Sequence, residues 1–260
     1  MAVPDQVVHA ARDGDVAVVE AFLDAEPGAV NELGSDRITL LMETTNQSIE
    51  DCHVQCARLI IARGGNANIG YTNVSGHCTS IPLHCASWPG GSASEMVSLL
   101  LQAGARVNAR TDDEGMTPLG QLILRFDYCV EFDEEDEVAA RRRQVARSGL
   151  EIMKLLLKAG ASLDRCQGDL SAEELMQAFL SDRPHYANDE YFTRCRELVA
   201  GVRAHGSYKA YVREPHRKFL RLRSLLVRGR AKTKDRRLER IARLPNGACW
   251  HVLSYLWEAA

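Results

Sequence analysis

Glu95-Met-Val-Ser-Leu-Leu-Leu-Gln-Ala-Gly104-Ala-Arg-Val-Asn108 runs on through Ala-Arg-Thr-Asp-Asp-Glu-Gly115 into Met-Thr117-Pro118-Leu119. Met96, Val97, Leu99, Leu100 and Leu101 predict an apolar helix that stops at Gly104. A glycine just past a helix end takes the left-handed conformation without a side-chain clash. Thr117 can cap the next helix, and Pro118 fits its first position, where a missing N–H costs nothing. The stretch therefore reads as helix, polar turn, helix.

The same phrases return elsewhere. Leu-Leu-x-x-Gly-Ala-x-x-Asn fits Leu100 to Asn108 and recurs at Ile60 to Asn68 and at Leu156 to Asp164. Its partner, Thr-Pro-Leu-His-x-Ala, recurs as Ile81-Pro82-Leu83-His84-Cys85-Ala86 and as Thr117-Pro118-Leu119-Gly120, with Thr39-Leu40-Leu41-Met42 a weaker copy. These motifs closely resemble the ankyrin repeat, over about residues 7 to 166. Gly64, Gly104 and Gly160 lie 40 and 56 residues apart, against about 33 for the ankyrin unit, so insertions lie inside the repeats. A single helix pair buries only one face, so each unit needs neighbours.

The resemblance implies an all-α ankyrin-repeat solenoid of stacked helix pairs plus a C-terminal helical cap. Three segments are expected. Residues 1–166 hold about four units with insertions, 167–207 a degenerate fifth unit or capping helices, and 208–260 a basic helical segment. Within the first, Val7 to Ala11 and Val16 to Leu23 form the opening pair, broken at Asp13-Gly14. In the second segment Ser171 opens a helix with a capping box, Glu following three residues later, and Tyr191 to Val202 forms another. In the third, Pro215 fits the first turn of a helix running to about Val227. Phe219, Leu222, Leu225 and Leu226 share one face of it.

Composition is that of an ordinary globular chain: 260 residues, 45% hydrophobic and 26% charged. No apolar run approaches the roughly 20 residues that cross a bilayer, and the start lacks a basic-then-apolar leader. A cytoplasmic location is expected, with the nucleus left open. The eight cysteines show no framework spacing, which favours free thiols. Net charge is only −3 but uneven. Residues 1–202 carry 17 basic and 31 acidic side chains, residues 203–243 carry 15 and 3.

The fourth unit contains about 22 residues beyond the family pattern. They include Phe126 to Glu137, with seven acids from Asp127 onward, and then Arg141-Arg142-Arg143. This insert reads either as a solvated loop closed by its own basic half or as an acidic docking loop.

No catalytic motif appears, so no enzyme is expected, and no cofactor. Cys52, His53 and Cys56, with His77, Cys78, His84 and Cys85 downstream, make zinc conceivable. Yet the resemblance gives His84 the job of hydrogen bonding between turns, and Cys56 and Cys85 suit small core positions, so no metal is expected. Another protein is the expected partner. Ankyrin proteins bind through hairpin tips and the concave inner-helix face, which here implicates Tyr71, Thr72 and Asn73, then Arg110, Thr111, Asp112, Asp113 and Glu114. Trp88 and the acidic insert stand second; Trp88 is expected on the concave face or plugging the helix gap.

The basic end has three readings: a cap on the last repeat, a phosphate contact to nucleic acid or lipid, or a recruitment segment. Leu244-Pro245 with Val252 to Leu256 resembles the first helix of an F-box, which implies a ubiquitin-ligase adaptor. Leu222 to Arg228 faintly resembles the opening of a suppressor-of-cytokine-signalling box but lacks its cysteine. No zinc finger, RNA-recognition motif or interleaved aromatics supports nucleic-acid binding.

Overall fold

The computed structural model describes residues 3–45, 49–72, 78–126 and 135–230, with residues 234, 239–240, 244–245 and 247–248 beyond them. The chain divides into two compact units, Met1–Arg203 and Ala204–Ala260.

The first unit is a row of helix pairs. They are α1 (Asp5–Asp13) with α2 (Val16–Ala25), α3 (Leu40–Glu43) with α4 (Asp51–Ala62), α5 (Pro82–Ala86) with α6 (Ala93–Gln102), α7 (Pro118–Leu124) with α8 (Glu135–Lys158), and α9 (Ala172–Asp182) with α10 (Glu190–His205). First helices pack on first helices: α1 on α3, α5 on α7, α7 on α9. Second helices do likewise, α2 on α4, α4 on α6 and α6 on α8. The core between the two layers is aliphatic, with Val19, Leu41, Ile60, Leu83, Met96, Leu100, Leu122 and Leu156 each at most 1% exposed. Among the described residues the only strands are β1 (Tyr71–Thr72) and β2 (Cys78–Ser80), an antiparallel hairpin before α5.

Helix ends follow the side chains that satisfy them. The hydroxyls of Thr39 and Thr117 accept from the N–H groups of Met42 and Gly120, at 3.2 and 3.1 Å, opening α3 and α7. Ser171 and Glu174 make the reciprocal capping box of α9. Gly64, Gly104 and Gly160 close α4, α6 and α8 at φ of +93, +83 and +95°, a region that penalises any side chain.

The neighbouring pairs are joined by one recurring device. The Asn31 amide donates to the Gly64 carbonyl at 3.0 Å and accepts from the Asn66 N–H at 2.8 Å. Asn68 does the same to Gly104 and Arg106, at 3.0 and 2.8 Å. Asn108 does it to Gly160 and Ser162, at 3.1 and 2.8 Å. The next position holds Asp164, which instead pairs with Arg203 of α10 at 2.6 Å; Arg203 also grips Glu173 at 2.9 Å. Between the first two pairs there is a further tie. The Glu43 carboxylate is fully buried and takes the Arg12 guanidinium at 3.0 Å.

Two expectations for the fourth unit are corrected. Phe126 is core rather than insert, at 2% exposure. Its ring meets Phe192 edge-on at 5.2 Å and Tyr186 at 6.2 Å, and Gly149 of α8 leaves room for it. Phe179 stacks on Phe192 at 5.1 Å to complete the cluster. Arg141 to Arg143 are not the closing half of a loop either, because α8 starts at Glu135 and carries straight through them. Residues 127–134 of the acidic insert lie outside the described residues.

In the second unit, α11 (Tyr208–Val227) begins seven residues before Pro215. Proline was expected to open this helix. Instead Ser207 opens it, accepting from the Ala210 N–H at 3.2 Å, and Pro215 sits in the interior. An interior proline forfeits one backbone hydrogen bond. The F-box-like stretch Val252 to Leu256 lies outside the described residues. No helix among those described is long and apolar enough to cross a membrane.

Candidate protein-binding ridge

The turns that join successive pairs come together along one edge of the first unit, and they brace one another. Thr111 is buried and closes its own turn. Its N–H donates to the Met116 carbonyl at 3.0 Å, and its hydroxyl accepts from the Met116 N–H at 3.0 Å. Asp112 reaches back to β2: its N–H donates to the Cys78 carbonyl at 2.9 Å, and its carboxylate accepts from the Cys78 N–H at 2.7 Å. Arg110 reaches forward, donating to the carbonyls of Arg165 and Gly168 at 2.9 and 2.8 Å. Glu114 also reaches forward. Its carbonyl accepts from the Gly168 N–H at 2.9 Å and its carboxylate from the Gln167 amide at 3.1 Å.

The tips at 78–80, 110–116 and 165–170 are thus fixed to each other, not only to their own helices. Asp112, Asp113 and Glu114 remain exposed on this braced backbone, while Tyr71 is half-buried in β1. Asp113 also accepts from the Glu114 N–H at 2.7 Å. Thr72 pairs through its backbone in β1, and Asn73 lies outside the described residues. Trp88 is half-buried past the end of α5, with the Arg125 guanidinium 4.7 Å above its ring, so it links the ends of α5 and α7.

Of the residues weighed for metal, His77 lies outside the described residues, and the two other histidines have other work. His84 accepts from the Ile81 N–H through Nδ1 at 3.1 Å, and Nε2 meets the Met116 carbonyl at 3.0 Å. That is the bond between turns expected from the repeat pattern, and burial lowers the pKa of this imidazole. His53 makes an equivalent pair, Nδ1 to the Glu50 N–H at 3.1 Å and Nε2 to the Arg12 carbonyl at 2.9 Å. Burial pushes the thiols of Cys56 and Cys195 up to about 12, and those of Cys85 and Cys166 up to about 11. Thiols held this far above neutrality are poor nucleophiles. Among the described residues no group of three or more His, Cys, Asp or Glu is arranged to hold a metal ion.

Sequence reasoning passed over the coupling role of Asn31, Asn68 and Asn108. Their signal was present, since an asparagine stands four residues after both Gly64 and Gly104. It also missed Arg203, which carries no repeat signature.

Residues 80–112 match the family model of the ankyrin repeat. No curated protein matches the chain. Ankyrin repeats bind other proteins and are typically non-catalytic. The matched span runs from the last residue of β2 through α5 and α6 to residues 110–112 of the tip, and the pairs on either side repeat its capping and its asparagine coupling. The chain thus carries an ankyrin repeat at residues 80–112, set within a helical-repeat solenoid.

Proposed function

We propose that the first unit is a non-catalytic scaffold that grips a partner protein along its hairpin tips and the inner-helix face beside them. The observation that carries this reading is the cross-bracing of the tips. A turn tied to both neighbours loses little freedom when a partner docks, which lowers the entropic cost of association. Asp112, Asp113 and Glu114 supply exposed polar groups on that backbone, and Tyr71 supplies a half-buried aromatic edge. Aromatic side chains anchor many interfaces. Buried Thr111 and exposed Arg110 serve the same surface by holding the turn shape.

The test is affinity capture with the full chain, followed by a variant carrying Tyr71→Ala, Asp113→Ala and Glu114→Ala. The expected result is loss of the captured partner with an unchanged circular-dichroism spectrum. Capture undiminished by this variant places the interface elsewhere.

A further inference from the structure

The helix α11 carries a charged stripe that the repeat scaffold does not use. Lys218, Arg221, Leu222, Leu225 and Arg228 recur at i, i+3, i+4, i+7 and i+10, which places them on one helical face. All five are exposed, Leu222 at 37% and Leu225 at 42%. The stripe is about 15 Å long at 1.5 Å per residue. Two leucines in water are thus framed by three cations, with Arg213 and Arg217 exposed along the flank. The only acid on the helix, Glu214, reaches Lys218 at 3.9 Å, the outer limit of an ion pair. Among the described residues, Arg217, Arg221 and Arg228 pair with no carboxylate.

We propose that this stripe is a docking surface for an anionic lipid bilayer. Leu222 and Leu225 dip into the acyl boundary, and Lys218, Arg221 and Arg228 meet the headgroup phosphates. Basic amphipathic helices suit either a membrane surface or a partner that wraps the helix. A partner that wraps the helix is not accommodated, because the face adjoining the stripe is partly covered: Val212, Phe219 and Leu226 are half-buried, and Arg223 beside them donates to the Leu244 carbonyl. A flat surface needs only one side. Nucleic acid also approaches from one side, but it would leave both leucines against phosphate and water.

The experiment is co-sedimentation of the full chain with vesicles of phosphatidylcholine alone and of phosphatidylcholine mixed with phosphatidylserine. A single-stranded RNA oligonucleotide is titrated in parallel. Binding to the mixed vesicles alone is expected, falling as salt is added. Replacing Lys218, Arg221 and Arg228 by Gln should weaken it about a hundredfold, near fivefold for each cation. The pair Leu222→Gln and Leu225→Gln should weaken it about tenfold while leaving charge unchanged. All five sites are exposed, and helix content by circular dichroism verifies that the fold persists. Absent or equal binding to the two vesicles overturns the proposal. So does binding that depends on the cations but ignores the leucines, a pattern that with RNA binding would assign the stripe to nucleic acid.

Discussion

Replacing Asn68 by Ala tests whether the pairs truly lean on their neighbours in sequence. The substitution removes two hydrogen bonds to the following unit, one donated to Gly104 at 3.0 Å and one accepted from Arg106 at 2.8 Å. Gly104 and Arg106 are exposed, so water reaches the groups left behind. The loss is therefore the net worth of two bonds, about 0.5–1.5 kcal/mol each, and not the full penalty of orphaned buried groups. We expect about 2 kcal/mol. Urea unfolding followed by far-ultraviolet circular dichroism reads this out. With a slope near 2 kcal/mol per molar, the midpoint falls by about 1 M. Asn68→Asp sharpens the test. It keeps an acceptor for the Arg106 N–H but turns a carboxylate oxygen toward the Gly104 carbonyl, so at neutral pH it should stabilise no better than Ala. A midpoint shift under about 0.2 M for both variants would refute the idea that asparagine couples the units.

Phe126→Ala should cost about 3–5 kcal/mol, because it empties a site walled by Phe192, Tyr186 and Gly149. The same unfolding assay would return well under 1 kcal/mol if the ring belonged to a solvated insert. Arg12→Ala leaves the fully buried Glu43 carboxylate without its cation and should cost about 3–5 kcal/mol, whereas Arg12→Ala with Glu43→Leu should recover much of that. His84 sets a pH dependence. Burial lowers its folded-state pKa below the ordinary value of 6.5, so below that value the unfolded chain takes up the proton more readily. Its contribution is complete above about pH 6.5 and erodes as the pH drops. His84→Asn should flatten the fall in stability between about pH 6.5 and 5 relative to wild type, measured by urea titration at each pH.

Much of this fold is readable from side chains that act locally. Thr39, Thr117 and Ser171 stand where their hydroxyls cap helices, and Gly64, Gly104 and Gly160 stand where the chain must turn left-handed. Such features leave their mark within four residues of sequence. Phe126 escaped because its partners, Tyr186 and Phe192, lie far along the chain, and because acids follow it directly. The start of α11 escaped for a different reason. Pro215 is a strong local signal for a first turn, but the cap at Ser207 and the packing of Tyr211 and Val212 outweigh one lost backbone bond. At the ridge, the polar composition of 110–114 marks a turn correctly. Nothing in the local sequence says that Arg110 and Thr111 are spent on holding the turn, or that Glu114, though exposed, is tied to Gln167 and Gly168.

The asparagine couplings all run in one direction. Each amide reaches toward the unit that follows, and each unit offers the same glycine carbonyl and the same N–H two residues later. The joints are therefore interchangeable: excising residues 69–108 would bring Asn68 to face Gly160 and Ser162, which already answer an asparagine. Units can be shuffled or lost from the interior without a new joint being invented. At Asp164 the amide is gone, and the carboxylate is committed to Arg203. That joint leads into the fifth pair through a different chemistry, so it is the one the others cannot replace.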